Sequence, residues 1–297
     1  MIKLNGLISF ENISYSIEEN KLFSTGIRKT ILDEISFEIN DGTIFGITGE
    51  SGSGKTTLIK LMANIYQPTN GKISYKFPQW ENGKSNVQVL FQNSEDLINP
   101  VRKIKSQLQD IENNTERISE VFEVLSLNEG LLERRGMELS GGERQRIALS
   151  KLLLVRPKVL VCDEPFSAQD PASKLNFVEL FKKINRKLNI TVVCVSHEID
   201  ILKLFVTDLL VLYSGRIAET GNSKIIFEKP FHPYTDFLLR AVEYNLSERD
   251  LFGRSDSQNN KYGCPYYPEC AVKLEKCKTS IEKVNFEKRT VYCNNPL

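Results

Sequence analysis

The chain has 297 residues, which is enough for one large domain or two modest ones with a substantial buried core. Its 39 basic and 38 acidic side chains leave a net charge of +1, so no overall basic field favours nucleic acid or an anionic membrane. No apolar run approaches the roughly 18 to 20 residues that span a bilayer, and the first residues lack a signal-peptide core. We therefore expect a cytosolic protein, or one that only its partners hold at a membrane.

The first part of the chain predicts strands around a glycine-rich loop. Alternating apolar and polar residues over 7–16 and 32–39 are typical of half-buried strands. The apolar run 43–48, "TIFGIT", predicts a buried strand that enters the loop "GESGSGKTT", and the spacing from Lys55 onward predicts a helix. The predicted local order is strand, loop, helix.

The middle of the chain predicts a helical insert followed by further buried strands. Residues 93–140 are polar with helical spacing, and we interpret them as a small helical subdomain. Two β-branched runs, "KVLVCDEP" and "ITVVCVSHE", predict buried strands on either side of a helix over "PASKLNFVELFKKINRKL". This alternation predicts an α/β fold with a parallel sheet flanked by helices. The pattern degrades near residue 230, so we expect one domain over 1–229 and a C-terminal extension over 230–297.

The glycine-rich loop matches G-x-x-x-x-G-K-[ST] at every fixed position: Gly49, Gly54, Lys55 and Thr56. In such a loop the backbone N–H groups point at a β-phosphate, Lys55 reaches the β- and γ-phosphate oxygens, and Thr56 ligates Mg²⁺. The alternative is a glycine-rich turn without a ligand, which the predicted strand and helix on either side disfavour. The remaining predicted contacts to the nucleotide from this loop are Ser51, Gly52, Ser53 and Thr57.

Four polar residues follow predicted strands, where α/β sheets hold their ligands. Asp163 is predicted to orient the Mg²⁺ shell, and Glu164 to accept a proton from the attacking water. Gln92 is a candidate for touching Mg²⁺ and sensing the γ-phosphate, and His197 for bonding the γ-phosphate. Taken alone, the acidic pair is equally compatible with a solvated turn. A lone glutamine is usually a surface residue, and the position of His197 slightly favours a structural histidine.

Together these motifs resemble the ATP-binding cassette of ABC transporters, over about residues 7–240. The resemblance implies a P-loop ATPase with a mostly parallel sheet core, an N-terminal antiparallel β subdomain and an inserted helical subdomain. Six motifs recur in the family's order: the P-loop at 49–56, Gln92, the signature "LSGGERQR" at 139–146, the acidic strand end "VLVCDEP", the D-loop "SAQD" at 167–170, and His197.

The resemblance also explains why the chain carries a second serine-glycine turn. In this family two cassettes stack head to tail, so that ATP on one P-loop is covered by the signature of the other. It implies contacts in trans from the signature and the D-loop: Ser140, Gly141, Gly142 and Asp170. Additional N–H donors would neutralise phosphate oxygens that one loop cannot surround. The family also places an aromatic ring under adenine, for which Tyr15 is the candidate and Phe23 the rival.

The C-terminal region resembles one subfamily, the ATPases of dipeptide, oligopeptide and nickel importers. The segment "EKPFHPYTDFLLRAV" and the cysteine-rich stretch "GCPYYPECAVKLEKC" followed by "VYC" carry this likeness. Mixed spacings between the cysteines match neither a zinc ribbon nor a zinc finger. Four thiolates can hold a 4Fe-4S cluster, which the family tail implies, while zinc and free thiols stay open as alternatives. The four candidate ligands are Cys264, Cys270, Cys277 and Cys293.

The predicted function is therefore an ATPase subunit, with Mg²⁺, that drives import of a peptide or similar solute. Its expected partners are a second ATPase subunit, identical or different, membrane permease subunits and, indirectly, a solute-binding protein. Its expected location is the cytoplasmic membrane face, with no nucleic acid bound. The main alternative is a soluble ABC ATPase acting on nucleic acid or ribosomes, and a weaker one is an inactive regulatory cassette.

Three departures from the subfamily pattern accompany these matches. Lys55 and Ser140 are only 85 positions apart, fewer than the subfamily leads us to expect. Gln169 stands where leucine is usual, and Glu143 where glutamine is commoner. Neither change removes a catalytic group.

Overall fold

A computed structural model of the protein describes residues 6–21, 24–81, 83–92, 94–167, 169–243, 263–286 and 288–297. The chain divides into two compact units. Unit 1 comprises residues 1–39, 45–74 and 196–297, and unit 2 comprises residues 40–44 and 75–195. No helix in the described part of the chain is long and apolar enough to cross a membrane.

The strands, in chain order, are β1 (Ile8–Lys21), β2 (Ser24–Ile39), β3 (Ile44–Thr48), β4 (Asn70–Tyr75), β5 (Trp80–Glu81), β6 (Lys84–Ser85), β7 (Val87–Leu90), β8 (Val159–Asp163), β9 (Thr191–Val195), β10 (Asp208–Tyr213), β11 (Arg216–Asn222), β12 (Lys283–Phe286) and β13 (Arg289–Tyr292). The α-helices are α1 (Lys55–Met62), α2 (Ile104–Gln109), α3 (Thr115–Val124), α4 (Gly141–Leu154), α5 (Pro171–Leu188), α6 (Ile199–Lys203), α7 (Ser223–Glu228) and α8 (Pro233–Glu243).

Unit 1 contains a mixed sheet and a smaller sheet. The mixed sheet has the order β12-β13-β11-β10-β3, in which β10 and β3 are parallel and the other pairs are antiparallel. Every residue of β3 is buried, as expected for a strand covered on both faces. The smaller sheet has the order β2-β1-β4, and its β1–β2 pair is antiparallel, as the N-terminal part of the sequence predicts.

Unit 2 contains three parallel strands in the order β9-β8-β7. All residues of β8 and β9 are buried, which confirms the two predicted core strands. The helix between them, α5, coincides with the predicted helical segment. Its ends are fixed locally: Asp170 caps the first turn, Pro171 starts the helix, and Asn189 ends it in the left-handed conformation at φ 53°. Cys162 and Cys194 lie opposite each other in the register of β8 and β9, and both are buried free thiols.

The predicted helical insert and C-terminal extension have less regular structure. In the 93–140 region the structure has α2, α3 and three short 3-10 turns, Ser94–Leu97, Glu129–Glu133 and Gly136–Glu138. At the C-terminus β12 and β13 form a hairpin, and β13 pairs with β11. The predicted boundary at residues 229 and 230 stays a prediction.

Candidate nucleotide-binding site

The glycine-rich loop connects β3 to α1 through backbone conformations that favour glycine. Gly49 has φ 146°, and a Cβ there would lie 2.0 Å from the carbonyl oxygen of Leu212, so no larger residue fits. Gly54 has φ 104° and forms the N-cap of α1 without a side-chain hydrogen bond. The first N–H groups of α1 are therefore not capped by the Gly54 position, which suits a helix start that receives an anion.

Lys55 is folded back over its own loop. Its Nζ donates hydrogen bonds to the carbonyl oxygens of Gly49, at 2.7 Å, and of Glu50, at 2.8 Å. The side chain is 8% exposed, so the ammonium group is held close to the loop instead of extending into solvent. A phosphate that entered the loop would meet a cation already in place.

Ser53 contributes a buried polar atom to the same loop. The residue is 1% exposed, and its Oγ has no hydrogen-bond partner among the described residues. Its carbonyl oxygen accepts from the N–H of Gly215, which fixes the loop against the β10–β11 turn. An unpartnered buried hydroxyl needs an explanation, and a phosphate oxygen would supply one. The other predicted loop contacts are exposed or half-buried: Ser51, Gly52, Thr56 and Thr57.

Tyr15, the candidate for stacking on adenine, lies on β1. Its ring stacks on Tyr66, with centroids 5.2 Å apart and planes 3° apart. Tyr66 is a neighbour that sequence reasoning missed, since only the fold brings the two rings together. The rival, Phe23, lies outside the described residues.

His197 also belongs to unit 1. Its side chain is exposed, and its carbonyl oxygen accepts from the N–H of Ile199 at the start of α6. The structure therefore leaves its imidazole accessible, and its predicted contact with a γ-phosphate stays a prediction.

Unit 2 has an open groove of about 670 Å³ that collects most of the other predicted site residues. Gln92 and residues from the signature, the acidic strand end and the D-loop line it together. The predicted residues in its lining are Gln92, Ser140, Gly141, Gly142, Glu164 and Asp170. Gln92 and Asp170, which are 78 positions apart in the sequence, thus line one surface.

Glu164, the predicted base, follows the end of β8 in an unusual backbone conformation. Its φ is 49°, in the left-handed region that non-glycine residues rarely adopt. Its N–H donates to Val195 at 2.9 Å, and its carbonyl accepts from the Oγ and N–H of Ser167 at 3.0 and 3.2 Å. These bonds hold the backbone of the strained residue, which is part of the groove lining.

Asp163 and Gln92 differ in their surroundings. Asp163 is 8% exposed at the last position of β8 and is not part of the groove lining. Gln92 is exposed, and its Nε2 lies 3.5 Å from Ser167 Oγ, at the long limit of a hydrogen bond. Ser167 therefore touches both Gln92 and Glu164, a link that the sequence did not predict.

The signature begins α4 with a capping box. Ser140 Oγ accepts from the N–H of Glu143 at 3.3 Å, and the Glu143 carboxylate accepts from the N–H of Ser140 at 2.8 Å. These hydrogen bonds hold the pKa of Glu143 below its usual value. The glutamate that replaces the commoner glutamine thus serves the cap. A Cβ at Gly142 would meet no atom within 4 Å, so the start of α4 is open.

The D-loop residues are fixed within unit 2. Asp170 caps α5 by accepting from the N–H groups of Ala172 and Ser173, both at 3.0 Å, and hydrogen bonds from Ser173 lower its pKa. Gln169 Nε2 donates to Gln145 Oε1 at 2.8 Å, and so ties the D-loop to the signature helix. The unusual glutamine has a structural partner, while the contact of Asp170 with a second subunit stays a prediction.

The four C-terminal cysteines line one small cavity. Its volume is about 10 Å³, room for about one water molecule. Burial raises the pKa of Cys264 to about 11 and also raises the pKa values of Cys270 and Cys293, each with a smaller contribution from neighbouring thiols. Within the described part of the chain, no group of three or more His, Cys, Asp or Glu side chains is placed to hold a metal ion.

Two protein-family models match the chain. The model described as "ABC transporter" matches residues 32–167. The model described as "Oligopeptide/dipeptide transporter, C-terminal region" matches residues 218–277. The first includes the P-loop, the signature and the acidic strand end. The second includes the histidine-proline-tyrosine segment, residues 232–234, and three of the four clustered cysteines.

Individual relatives give the same picture. The chain is 32% identical to the dipeptide transport ATP-binding protein DppF of Haemophilus influenzae, over 86% of each chain. It is 30% identical to the oligopeptide transport ATP-binding protein OppF of Streptococcus mutans, over 80% of this chain and 81% of that one. Among solved structures, the ADP conformation of an ABC-transporter cassette superposes with a TM-score of 0.65 at 22% identity, over 78% of this chain and 97% of that one.

Proposed function

We propose a mechanism for this protein from the premise that it belongs to the ATP-binding proteins of dipeptide and oligopeptide ABC transport, a membership shown by its 32% identity over 86% of its length. The matching domain is an ATPase coupled to transport. Hydrolysis of ATP by this chain therefore powers movement of a solute through separate membrane subunits. The names of the relatives point to dipeptides or oligopeptides as that solute, and the family removes the support for a role on nucleic acid.

The phosphates of ATP are proposed to bind at the loop of unit 1. Lys55 stands over the loop, the start of α1 carries N–H groups that the Gly54 position does not cap, and the buried Oγ of Ser53 has no partner among the described residues. Each of these features supplies a cation, a dipole or a hydrogen-bond donor for an anion. Tyr15 is the proposed ring beneath adenine.

Thr56, Gln92 and Asp163 are the proposed Mg²⁺ ligands. Their hydroxyl, amide and carboxylate oxygens are the donor atoms that this hard cation prefers. When bound, Mg²⁺ neutralises charge that develops on the β- and γ-phosphate oxygens. Asp163 is a nearly buried carboxylate at the C-terminal end of a core strand, a position that fits a cation ligand better than a solvated turn.

Glu164 is the proposed general base and His197 the proposed γ-phosphate contact. A base must be fixed within reach of the water it deprotonates, and the hydrogen bonds from Ser167 and to Val195 fix the backbone of Glu164. The proton leaves the attacking water for the Glu164 carboxylate, and the new P–O bond forms as the bond to the leaving ADP oxygen breaks.

The observation that carries the proposal is the shared groove of unit 2, in which Glu164 and the 140–142 turn face the same open space. A Cβ at Gly142 would meet no atom within 4 Å, so the turn has room for a ligand at this position. We propose that a second cassette, head to tail, brings its own bound ATP against this turn, with Asp170 also at the interface. Binding of ATP would close such a dimer, and product release would open it.

The partners follow from this arrangement. The chain would work as a homodimer or heterodimer of cassettes beneath two permease subunits, at the cytoplasmic face of the membrane, with a solute-binding protein acting indirectly. The relatives support an importer.

The four cysteines are proposed as one functional site. A 4Fe-4S cluster needs four thiolates, and the structure supplies four thiols around one cavity. Against loading in this geometry stand the cavity volume of about 10 Å³ and the lack of a converging ligand group among the described residues. Anaerobic purification followed by an absorption spectrum and metal analysis separates iron, zinc and free thiols. A colourless, metal-free protein with full activity rejects the cluster.

Glu164→Gln tests the enzymatic proposal. Removal of a general base lowers turnover by about 10²- to 10⁴-fold, while ATP still binds, so the ATP-bound dimer should accumulate. ATPase rates and light scattering after gel filtration in ATP measure both effects. Glu179→Gln is the matched control, because Glu179 is an exposed carboxylate on α5 outside the groove lining. Turnover at the control rate in Glu164→Gln refutes the assignment of the base.

A further inference from the structure

Tyr234, in the histidine-proline-tyrosine segment at the start of α8, contacts the phosphate-binding loop. Its hydroxyl oxygen accepts a hydrogen bond from the backbone N–H of Glu50 at 3.0 Å. Glu50 is the second residue of the loop motif, and 184 positions separate the two residues. Tyr234 is 0% exposed, one of the largest fully buried side chains of the described part of the protein.

The hydrogen bond acts on a peptide plane that also positions Lys55. The carbonyl of Gly49 and the N–H of Glu50 belong to one planar peptide group, so they point in opposite directions and rotate together. The carbonyl accepts from Lys55 Nζ at 2.7 Å, while the N–H donates to Tyr234. A contact that fixes the N–H therefore also fixes the acceptor of the lysine ammonium group.

An aromatic cluster, formed by Tyr213, Tyr234 and Tyr266, prevents the Tyr234 ring from moving away. The ring centroids of Tyr213 and Tyr266 lie 4.4 and 5.4 Å from that of Tyr234, and 5.3 Å from each other. Tyr213 also donates its hydroxyl to Glu269 at 3.3 Å. The cluster thus joins β10, α8 and the cysteine-bearing segment around one hydroxyl.

The backbone of Tyr234 is fixed as well. Its N–H donates to Nδ1 of His232 at 3.0 Å, in a site where the imidazole is buried. Burial lowers the pKa of His232 to about 3, so Nδ1 stays an acceptor at neutral pH. Both the ring and the main chain of Tyr234 are held in place before any ligand enters the loop.

We propose that Tyr234 is a positioning residue for ATP binding, whose hydroxyl fixes the peptide between Gly49 and Glu50 and thereby orients Lys55 toward the phosphates. The proposal rests on the proposed role of Lys55 in gripping ATP. It gives the histidine-proline-tyrosine segment a function in the nucleotide site and connects that site, through Tyr266, to the region of the clustered cysteines.

Tyr234→Phe tests this proposal, because phenylalanine keeps the ring in the aromatic cluster and removes the hydroxyl that accepts from Glu50. Tyr292→Phe is the matched control: the half-buried Tyr292 hydroxyl donates to the backbone carbonyl of Ser36 at 3.2 Å, in another part of unit 1. Both changes remove one hydrogen bond between a tyrosine hydroxyl and the backbone. Only the first removes one from the loop.

We expect Tyr234→Phe to raise the KM for ATP by about 2- to 12-fold, the factor that one net hydrogen bond supplies, with kcat changed less than about twofold. In the full-length chain the amide of Glu50 should exchange with deuterium faster than in wild type, and in Tyr292→Phe it should not. A KM shift equal to that of the control, or an unchanged Glu50 amide, overturns the proposal.

Lys55→Ala separates this inference from the proposed function on which it rests. If Lys55→Ala binds ATP as tightly as wild type, the assignment of the phosphate site fails. If Lys55→Ala loses ATP binding while Tyr234→Phe behaves like Tyr292→Phe, the phosphate site stands and the positioning role of Tyr234 is refuted. A thermal midpoint of Tyr234→Phe close to that of Tyr292→Phe excludes general unfolding as the cause of a KM change.

Discussion

A buried ion pair joins the C-terminal hairpin to the centre of unit 1. Arg289 on β13 lies 3.2 Å from Glu219 on β11, and the two side chains are 7% and 0% exposed. The Glu219 carboxylate also accepts from the N–H groups of Phe231 and His232, at 3.0 to 3.2 Å. The guanidinium group packs 3.5 Å over the Phe231 ring and donates to the carbonyl of Lys229. One arginine therefore connects two strands and the loop before α8.

Arg289→Met keeps an unbranched apolar stem but removes the charge. The carboxylate of Glu219 then stays buried with two N–H donors and no cation, and breaking a buried pair in this way costs about 3–5 kcal/mol. With an unfolding entropy of about 2.1 cal/mol/K per residue, that lowers the thermal midpoint of a 297-residue chain by roughly 5–8 °C. We expect the loss to be concentrated in unit 1, because both partners lie there.

The effect should depend on pH in a definite direction. Burial already raises the pKa of Glu219 above its ordinary value, even though its hydrogen bonds act in the opposite direction. Loss of the Arg289 charge raises that pKa further. The carboxyl group then has a higher pKa in the folded protein than in the unfolded chain. Its contribution to stability is present below the unfolded pKa and is lost as pH rises through the folded pKa. Arg289→Met should therefore lose less stability at pH 5 than at pH 8.

Thermal unfolding of three variants at both pH values measures this coupling. The double variant Glu219→Gln with Arg289→Met removes the buried carboxylate that has lost its cation, and it should recover much of the lost stability. Arg102→Met is the control, because its ion pair with Asp110 is exposed on both sides and should matter far less. If Arg289→Met at pH 8 is no less stable than Arg102→Met, or the double variant gains nothing, the assigned energetics are wrong.

Two further predictions concern the loops of the nucleotide site. Gly142→Ala should leave the thermal midpoint unchanged, because the new Cβ meets no atom within 4 Å, but it should abolish ATP-dependent dimerisation in gel filtration. Gly49→Ala, whose Cβ would lie 2.0 Å from the Leu212 carbonyl oxygen, should instead disrupt the loop itself. Equal dimerisation of wild type and Gly142→Ala would contradict the proposed interface. Gln169→Leu should shift stability by less than about 1 kcal/mol, because it removes the bonds to Gln145 and to the Pro165 carbonyl together with an oxygen that has no partner among the described residues. A larger loss in thermal unfolding would disprove this cancellation.

Local patterns in the sequence predicted the central elements well. The apolar run before the glycine-rich loop is β3, the predicted helix begins at Lys55, and the segment after the D-loop is α5 from Pro171 to Leu188. Each of these elements is determined by neighbours within a few residues: a continuous apolar run, a glycine cap, or an aspartate and proline at a helix start. Sequence periodicity is sufficient for such elements.

Sequence periodicity could not predict a very short hairpin or contacts between distant segments. The hairpin of β5 and β6 has only two residues in each strand, too few to show any alternation. Glu219 is an acidic residue that is completely buried, which is rare unless a partner is present, and its partner lies 70 positions away. The structure also placed Ser167 beside Gln92, 75 positions away, a contact that no spacing rule assigns.

At the peptide between Gly49 and Glu50, steric and hydrogen-bonding contacts can be compared by what their loss would cost. Three independent features define its orientation: the absence of a Cβ at Gly49, the hydrogen bond from Lys55, and the hydrogen bond to Tyr234. The first is steric and cannot be relaxed without moving the backbone, since a Cβ would lie 2.0 Å from a carbonyl oxygen. The other two are single hydrogen bonds, each with a modest net free energy. Substitutions should therefore destroy the loop at Gly49 but only tune its affinity at Tyr234, and a Tyr234→Phe variant that binds no ATP at all would show that this order is wrong.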